Sequence, residues 1–204
     1  MELELECIAI EKDEGTSAIL GHAGFIKTVE DLYEAMVGSV PGVKFGIAFA
    51  EASGPCLVRS DGNDDGMRRQ AESNILKIAA GHTFLILFKE AYPINVINNV
   101  RNVSEVASIY CATGNPVQVI VAKADTSRSV IGVVDGLSSR AIESEDDKQN
   151  RSKTLERPRI QKMTTKCRFA LHVRTIALFL RRGPNRTWSS RSTGAPRQVF
   201  GMLD

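Results

Sequence analysis

The stretch Gly81-His82-Thr83-Phe84-Leu85-Ile86-Leu87-Phe88 contains five consecutive large apolar residues, Phe84 to Phe88. A short apolar run without polar alternation is typical of a strand that is buried on both faces. The run therefore predicts a strand over 82–88 that other elements cover on each side. Polar residues at its start, above all His82, lie where this strand would meet solvent.

Besides this strand, the rest of the first 150 residues predicts about seven strands and three helices. The strand segments besides 82–88 are 2–10, 16–20, 44–52, 56–59, 106–112, 117–122 and 130–134, and the helices begin near 28, 64 and 93. Two predicted hairpins and a run of late strands argue against a purely parallel, doubly wound sheet. We predict an α/β fold with a mixed, largely antiparallel sheet layered with helices.

Three local predictions follow from patterns near the N-terminus and before the second helix. Residues 2–10 alternate, with Leu3, Leu5, Cys7 and Ala9 on the face that should be buried, and a turn at 12–15 should join them to 16–20 as a hairpin. Thr28 should cap the first helix, with Glu30 and Asp31 in its first turn. Asp64 or Asp65 should begin the second helix.

The chain joins two different compositions near Arg151. Residues 1–150 carry 13 Lys or Arg and 22 Asp or Glu, whereas residues 151–204 carry 13 and 2. We expect a folded domain over 1–150 and a basic tail over 151–204, which is either largely disordered or a foreign segment joined to the domain. The acidic body lacks the charge for a broad nucleic-acid face, so nucleic acid is not an expected partner, although the tail's charge would suit an arm for an acidic partner or nucleic acid.

Other features of the composition argue against zinc-binding, membrane-spanning and secreted proteins. The four cysteines form no Cys-x-x-Cys pair, which argues against a zinc site, and we expect Cys7 and Cys111 to be small buried residues. No apolar run approaches the roughly 20 residues that span a bilayer, and the acidic, alternating start is unlike a signal peptide. The sequence thus predicts a cytoplasmic protein without a membrane partner.

Short polar or Gly-rich blocks lie at the ends of the apolar runs. They are Phe25–Asp31, Lys44–Phe49, Gly62–Asp65, Gly81–Phe84, Pro93–Asn95 and Cys111–Pro116. Such positions are where α/β proteins bind ligands, because the ends of buried strands bring polar side chains to one edge of the sheet. The pattern favours a small-molecule site over a bare scaffold.

Together with Gly132-Val133-Val134-Asp135-Gly136, these blocks resemble the adenosine-specific kinase family over about residues 1–150. The resemblance implies a three-layer α/β domain, a homo-oligomer that is a trimer, and phosphorylation of adenosine to AMP. ATP or another phosphoryl donor with Mg²⁺ would be the cofactor. A non-catalytic module that binds adenosine or AMP is the alternative. The chain has no Gly-x-x-x-x-Gly-Lys-Ser/Thr loop, so any phosphoryl transfer would use another architecture.

Three residues are our catalytic candidates. Lys27 precedes the first helix, where a cation and free backbone N–H groups suit a phosphate. His82 can act as a general base at a strand edge. Asp135 ends the last strand and suits ribose or a metal. Each candidate has an alternative interpretation: Lys27 as only a solvated lysine, His82 as a structural histidine, and Asp135 as part of a plain turn.

Six further residues are candidate ligand-binding positions: Thr28, Glu51, Asn95, Thr113, Gly114 and Asn115. Glu51 follows an apolar run and must face solvent, a partner or a ligand. The Asn amides offer a donor and an acceptor to an adenine edge or a ribose, and Gly114 leaves room for a close backbone approach. We interpret the acidic turn at 63–65 as a helix cap rather than a magnesium site, so no metal-ligating residue is predicted. The family's histidine position corresponds to Gly24, and His22 is assigned no catalytic role.

Overall fold

A computed structural model describes residues 3–155 of the chain. Its strands are β1 (Leu3–Ala9), β2 (Ser17–Ala23), β3 (Lys44–Ala50), β4 (Val58–Gly62), β5 (Thr83–Lys89), β6 (Val106–Thr113), β7 (Val117–Ala124) and β8 (Ser127–Asp135). Its helices are α1 (Thr28–Val37), α2 (Asp65–Ile78), α3 (Pro93–Arg101) and α4 (Glu145–Leu155).

The eight strands form two sheets. One has three strands in the order β1-β7-β8, and the other has five strands in the order β4-β3-β5-β2-β6. Every pairing between strands in the described part of the chain is antiparallel. The apolar stretch Phe84–Phe88 lies in β5, the middle strand of the larger sheet.

Two hydrophobic clusters cover the faces of the five-stranded sheet. On one face, Phe84, Ile86 and Phe88 of β5 pack with residues of α1 and α3. On the other face, Leu85 and Leu87 pack with residues of α2 and of the three-stranded sheet. The order is therefore a helical layer, the large sheet, and a third layer made of α2 and the small sheet.

The predicted class, α/β with largely antiparallel strands in three layers, is confirmed. The strands divide between two sheets instead of forming one, and α4 is a helix that the sequence pattern did not indicate. The predicted hairpin of residues 2–10 with 16–20 is wrong, because β1 pairs with β7 while β2 pairs with β5 and β6. The segment between β1 and β2 thus crosses from one sheet to the other.

The predicted buried face of β1 is also wrong. Leu3 and Leu5 are 60% and 63% exposed, and the core instead receives Ile8 and Ile10. Alternation identified two faces correctly, but the tertiary contacts with the large sheet decide which one packs. Accordingly Cys7 is exposed, whereas Cys111 is buried as predicted.

The chain divides into two compact units, residues 1–139 and 140–204. Of the second unit the structure describes residues up to 155, where Ser144 and Asp147 share hydrogen bonds at the start of α4 and Arg151 pairs with Glu143. The predictions for residues 156–204, including disorder and a basic arm, lie outside the described residues. The predicted boundary near residue 151 stays a prediction. None of the described helices has the length and apolar character needed to cross a membrane.

Candidate functional site

Strand order places two predicted site residues, Glu51 and His82, in a row with His22 at one end of the large sheet. Glu51 follows β3, His82 precedes β5, and His22 lies near the end of β2, opposite Thr83 of β5. Because neighbouring strands are about 4.8 Å apart, adjacent members of this row are close in space. The loop of residues 24–27, which leaves β2, continues the row. We call this region the histidine end.

The backbone of His82 is held between two strands. Its N–H donates to the Ala50 carbonyl at 2.7 Å, and its carbonyl accepts from the Ala23 N–H at 2.9 Å. Its φ is +60°, a left-handed conformation that few non-glycine residues adopt. Gly81 allows this approach, since a Cβ there would lie 2.7 Å from Ala52 Cβ.

The two imidazoles at this end lie next to each other. The ring centroids of His22 and His82 are 5.8 Å apart in an edge-to-face arrangement, and the His82 ring is parallel to the ring of Phe49 at 6.1 Å. Burial lowers the pKa of His22, and the neighbouring His82 lowers it further. Both effects favour the neutral form of the His22 imidazole.

A pocket of about 410 Å³ lies beside the row, with Gly81 in its wall. Its lining is partly apolar, from Ala50, Val58 and Ile75, and partly polar, from Glu51 and Arg128. The volume is in the range of small-molecule sites. Glu51 is only 11% exposed and pairs with Arg59 at 3.2 Å, so its carboxylate is neutralised within the protein rather than facing open solvent.

Lys27 and Thr28 differ from their predicted local roles. Lys27, not Thr28, occupies the N-cap position of α1, and it makes no side-chain capping bond. Thr28 is the first helical residue; it is buried and its hydroxyl donates to the Phe25 carbonyl. The Lys27 ammonium is 60% exposed and lies 3.3 Å from Asp31. Thr28 thus shapes the loop, while Lys27 presents its charge at the surface.

A second polar group lies at the opposite end of the large sheet. The Asn115 amide donates to Asp135 at 3.1 Å, and the Asn115 N–H donates to the Thr113 hydroxyl at 3.0 Å. Lys12 donates to the Gly114 carbonyl at 2.9 Å and to the Thr16 carbonyl. Lys12 therefore ties together the two segments in which the chain crosses between sheets. Burial lowers the pKa of Lys12, and Asp135 partly opposes that shift.

The structure brings the predicted site residues together in two groups within one chain. His82, Lys27, Thr28 and Glu51 belong to the histidine end, whereas Thr113, Gly114, Asn115 and Asp135 belong to the opposite end. Thr113 pairs with Ala18 of β2, four residues from His22, which corresponds to about 13 Å along the strand. Asn95 serves the start of α3, where its side chain accepts from the Tyr92 N–H.

The acidic turn before α2 serves the fold. Asp64 caps the helix by accepting from the Met67 N–H, and Asn63 bonds to the backbone of Phe45 and Val43. Asp65 pairs with Arg68. Within residues 3–155 no three His, Cys, Asp or Glu side chains are grouped as a metal site.

The model of the family described as adenosine specific kinase matches residues 8–160. The chain belongs to the adenosine-specific kinase family. Its fold is similar to that of PH1918 protein from Pyrococcus horikoshii OT3, a crystal structure with 47% sequence identity and a TM-score of 0.75; the match covers 79% of this chain and 99% of that one. No curated protein matches the sequence.

Two residues at the polar ends of this adenosine-specific kinase family member were missed by the sequence reasoning. His22 was set aside, yet the β2–β5 register places it beside His82. Lys12 was interpreted only as a turn residue, because nothing in the local sequence indicates that its ammonium reaches Gly114, 102 positions away. In a strand, side chains two positions apart point to the same face of the sheet. The strand pattern over residues 17–23 was therefore the one signal that could have placed His22 on the same face as Leu20.

Proposed function

We propose that this protein binds adenosine and transfers a phosphoryl group to its 5′-hydroxyl, forming AMP. The observation that carries the proposal is membership of the adenosine-specific kinase family over residues 8–160. The pocket lined by Glu51 and Gly81, the neighbouring imidazoles of His22 and His82, and the exposed Lys27 are groups that such a reaction can use.

The arrangement favours one orientation of the substrate. The pocket beside Glu51 would take the nucleoside, and its apolar lining suits a purine. His82 lies next in the row and would accept the hydroxyl proton, with His22 beside it. The exposed side chain of Lys27, at the start of α1, would attract the donor's phosphates.

ATP or another donor, together with Mg²⁺, remains our proposal for the cofactor. When bound, the metal would neutralise charge on the transferred group. The chain's own contribution would be to hold the nucleoside away from water, to remove the proton at His82 and to place the Lys27 ammonium near the phosphates.

One observation favours a second candidate, a non-catalytic adenosine or AMP binding module. Asp135, one of the three predicted catalytic residues, lies at the far end of the sheet from His82 within a single chain. If catalysis needs both, a second subunit of the proposed homo-oligomer, which we propose to be a trimer, must supply one of them. A binding module would need only the pocket.

Incubation with adenosine, ATP and Mg²⁺, followed by chromatography for AMP, tests the proposal. Calorimetric titration with adenosine, and separately with AMP, measures binding in the same preparation. Turnover supports the kinase, and binding without turnover supports the module. Absence of both would overturn the assignment of adenosine as ligand.

A further inference from the structure

Three neighbouring strands place Arg59 beside Phe49 on one face of the large sheet. Strands β4, β3 and β5 are adjacent in the sheet, and Phe49 of β3 is directly opposite Arg59 of β4. Side chains that are opposite each other in antiparallel strands point to the same face, with Cβ atoms about 5 Å apart. Phe49 is buried on the face that α1 and α3 cover. The Arg59 side chain therefore leaves the edge strand β4 on that same face.

The imidazole of His82 is the neighbour of Phe49 on the strand at the other side of β3. The His82 and Phe49 rings are parallel, with their centroids 6.1 Å apart. Neighbouring strands are about 4.8 Å apart, so two strand spacings, or roughly 10 Å, separate the backbones of Arg59 and His82. Because an arginine side chain can span much of that distance, its guanidinium and the imidazole can contact one small ligand.

A nearly buried carboxylate holds this guanidinium. The Glu51 side chain is only 11% exposed, and its Oε2 lies 3.2 Å from Nε of Arg59, whose side chain is 40% exposed. The Ser53 hydroxyl donates to the other carboxylate oxygen at 3.1 Å. Among the ion pairs of residues 3–155, no other carboxylate is as little exposed. Withdrawing a carboxylate from water is costly, so stability alone is a poor reason for this pair, and fixing the guanidinium is a better one.

Only one edge of the Arg59 guanidinium is engaged. Glu51 approaches Nε, and no other acidic side chain among residues 3–155 pairs with Arg59. Arg68 differs, because its two terminal nitrogens form ion pairs with Glu72 and Asp65. In the described part of the chain nothing competes for the terminal nitrogens of Arg59. They can donate in parallel to two oxygens of one phosphate, a fork geometry that arginine supplies and lysine does not.

We propose that Arg59 binds the phosphoryl group that is transferred, with Glu51 as the residue that positions the guanidinium. This role rests on the proposed kinase function and adds to it the residue that holds the phosphate near the His82 base. The ligand is the terminal phosphate of the donor before transfer and the phosphate of AMP after it. Glu51 comes directly after β3, so it can border the nucleoside pocket while its carboxylate reaches Arg59.

Lys27 and Arg59 would then have different tasks. The Lys27 ammonium is exposed and already lies 3.3 Å from Asp31. A solvated charge of this kind attracts anions from a distance but does not fix their orientation. The guanidinium, which Glu51 holds in place, would orient the phosphate. Nucleotide affinity should therefore depend on Arg59 more than on Lys27.

Calorimetric titration with adenosine, AMP and ATP tests the role of Arg59 in the full chain. The proteins are the wild type, Arg59→Gln and the matched control Arg69→Gln. Arg69 is exposed on α2, which covers the opposite face of the sheet, so its replacement removes the same charge at a different place. We expect Arg59→Gln to weaken AMP and ATP binding at least about 10-fold, with adenosine affinity unchanged. Arg69→Gln should bind all three ligands like the wild type.

The outcomes separate this role from the proposed function. Equal effects of the two substitutions, or a loss confined to ATP, overturn the inference; the second result would place Arg59 against a part of the donor that is not transferred. If the wild type forms AMP and Arg59→Gln binds both nucleotides normally, only the inference fails. If the wild type binds none of the three ligands, the proposed function fails and the inference fails with it.

A measurement on the wild type decides the case in which Arg59→Gln does not fold. Phenylglyoxal modifies accessible guanidinium groups, and peptide mapping gives the rate at each arginine. AMP should slow the modification of Arg59 but not that of Arg69, and adenosine should slow neither. Unchanged modification of Arg59 in saturating AMP, or equal protection by adenosine and AMP, overturns the inference.

Discussion

His82 combines a strained backbone with a reactive side chain. Its φ of +60° is maintained by hydrogen bonds to Ala50 and Ala23 on the strands at either side. Residues held in such conformations by their surroundings cluster at functional sites, where the fold fixes a side chain in one position. Here the fixed position is beside the rings of His22 and Phe49.

Replacing His82 by Asn should separate chemistry from folding. Asn adopts positive φ more readily than most residues, so the strand junction should persist. Loss of the general base should lower the rate of AMP formation by about 100-fold or more, with adenosine affinity nearly unchanged. The measurements are the initial rate of AMP formation and a calorimetric adenosine titration. A variant as fast as the wild type would show that His82 is not the base.

His22 makes the stability of the protein depend on pH. Its pKa is lower in the folded state than the ordinary value of about 6.5, because it is partly buried beside His82. The unfolded chain therefore takes up the proton first, and stability is lost as pH falls from about 7 through 6.5 towards the folded pKa. His22→Gln should reduce this loss, measured as the free energy of unfolding in denaturant at pH 7, 6 and 5. Identical pH profiles for the two proteins would contradict the expectation.

At the level of elements, β2 depends on a glycine at its bulge. The β2–β6 register shifts between Leu20 and Gly21, and a Cβ at Gly21 would lie 2.4 Å from Phe84 Cζ and 2.6 Å from the Ser108 carbonyl oxygen. Phe84 is fully buried and has no free space to move into.

Gly21→Ala should therefore lower the free energy of unfolding by about 1–3 kcal/mol. Gly24→Ala is the matched control, because a Cβ there meets nothing within 4 Å. Urea denaturation of both variants checks the prediction. Equal stability of the two would mean that β2 relaxes around the added methyl group.

The N-terminus of α2 offers a test of its cap. Asp64 accepts from the Met67 N–H at 3.0 Å, whereas Asp65 only pairs with Arg68 at the surface. Asp64→Ala should cost about 1 kcal/mol of unfolding free energy, and Asp65→Ala a few tenths. Thermal or urea unfolding of the two variants measures these losses of unfolding free energy. Equal losses would contradict the prediction.

Element positions were largely predictable from the sequence. The apolar run at 84–88, the helical spacing after Thr28 and the Pro at the start of α3 each act within one element, so local patterns suffice. The pairing of β1 was not predictable in this way. Its partner β7 lies more than 100 residues away, and the short turn at 12–15 suggested a hairpin that the crossing between sheets replaces.

At the scale of the whole molecule, both hydrophobic clusters are built from residues 8–130. A chain ending at Leu155 should therefore keep the thermal midpoint and the adenosine affinity of the full protein. Differential scanning calorimetry and adenosine titration of both forms provide the measurement. A large drop in the midpoint would show that residues 156–204 stabilise the domain.

The candidate site was predicted as a set of polar blocks, and the sheet sorts that set into two groups. Lys27, Glu51 and His82 lie towards the same end of the large sheet because β2, β5 and β3 are successive strands in its order. Thr113, Asn115 and Asp135 meet at the other end because β6 and β8 both finish there. The spacing of these blocks along the chain does not show at which end of the sheet each block lies.

By itself the sequence determined the class of fold, the family, the buried central strand and the polar character of the strand ends. These depend on period, composition and short motifs, which are local properties of the chain. Only the tertiary structure decided which strands pair, that Ile8 rather than Leu5 faces the core, and that His22 lies beside His82. Those outcomes depend on contacts between distant segments, because a period-two pattern defines two faces of a strand but not the surface that each face meets.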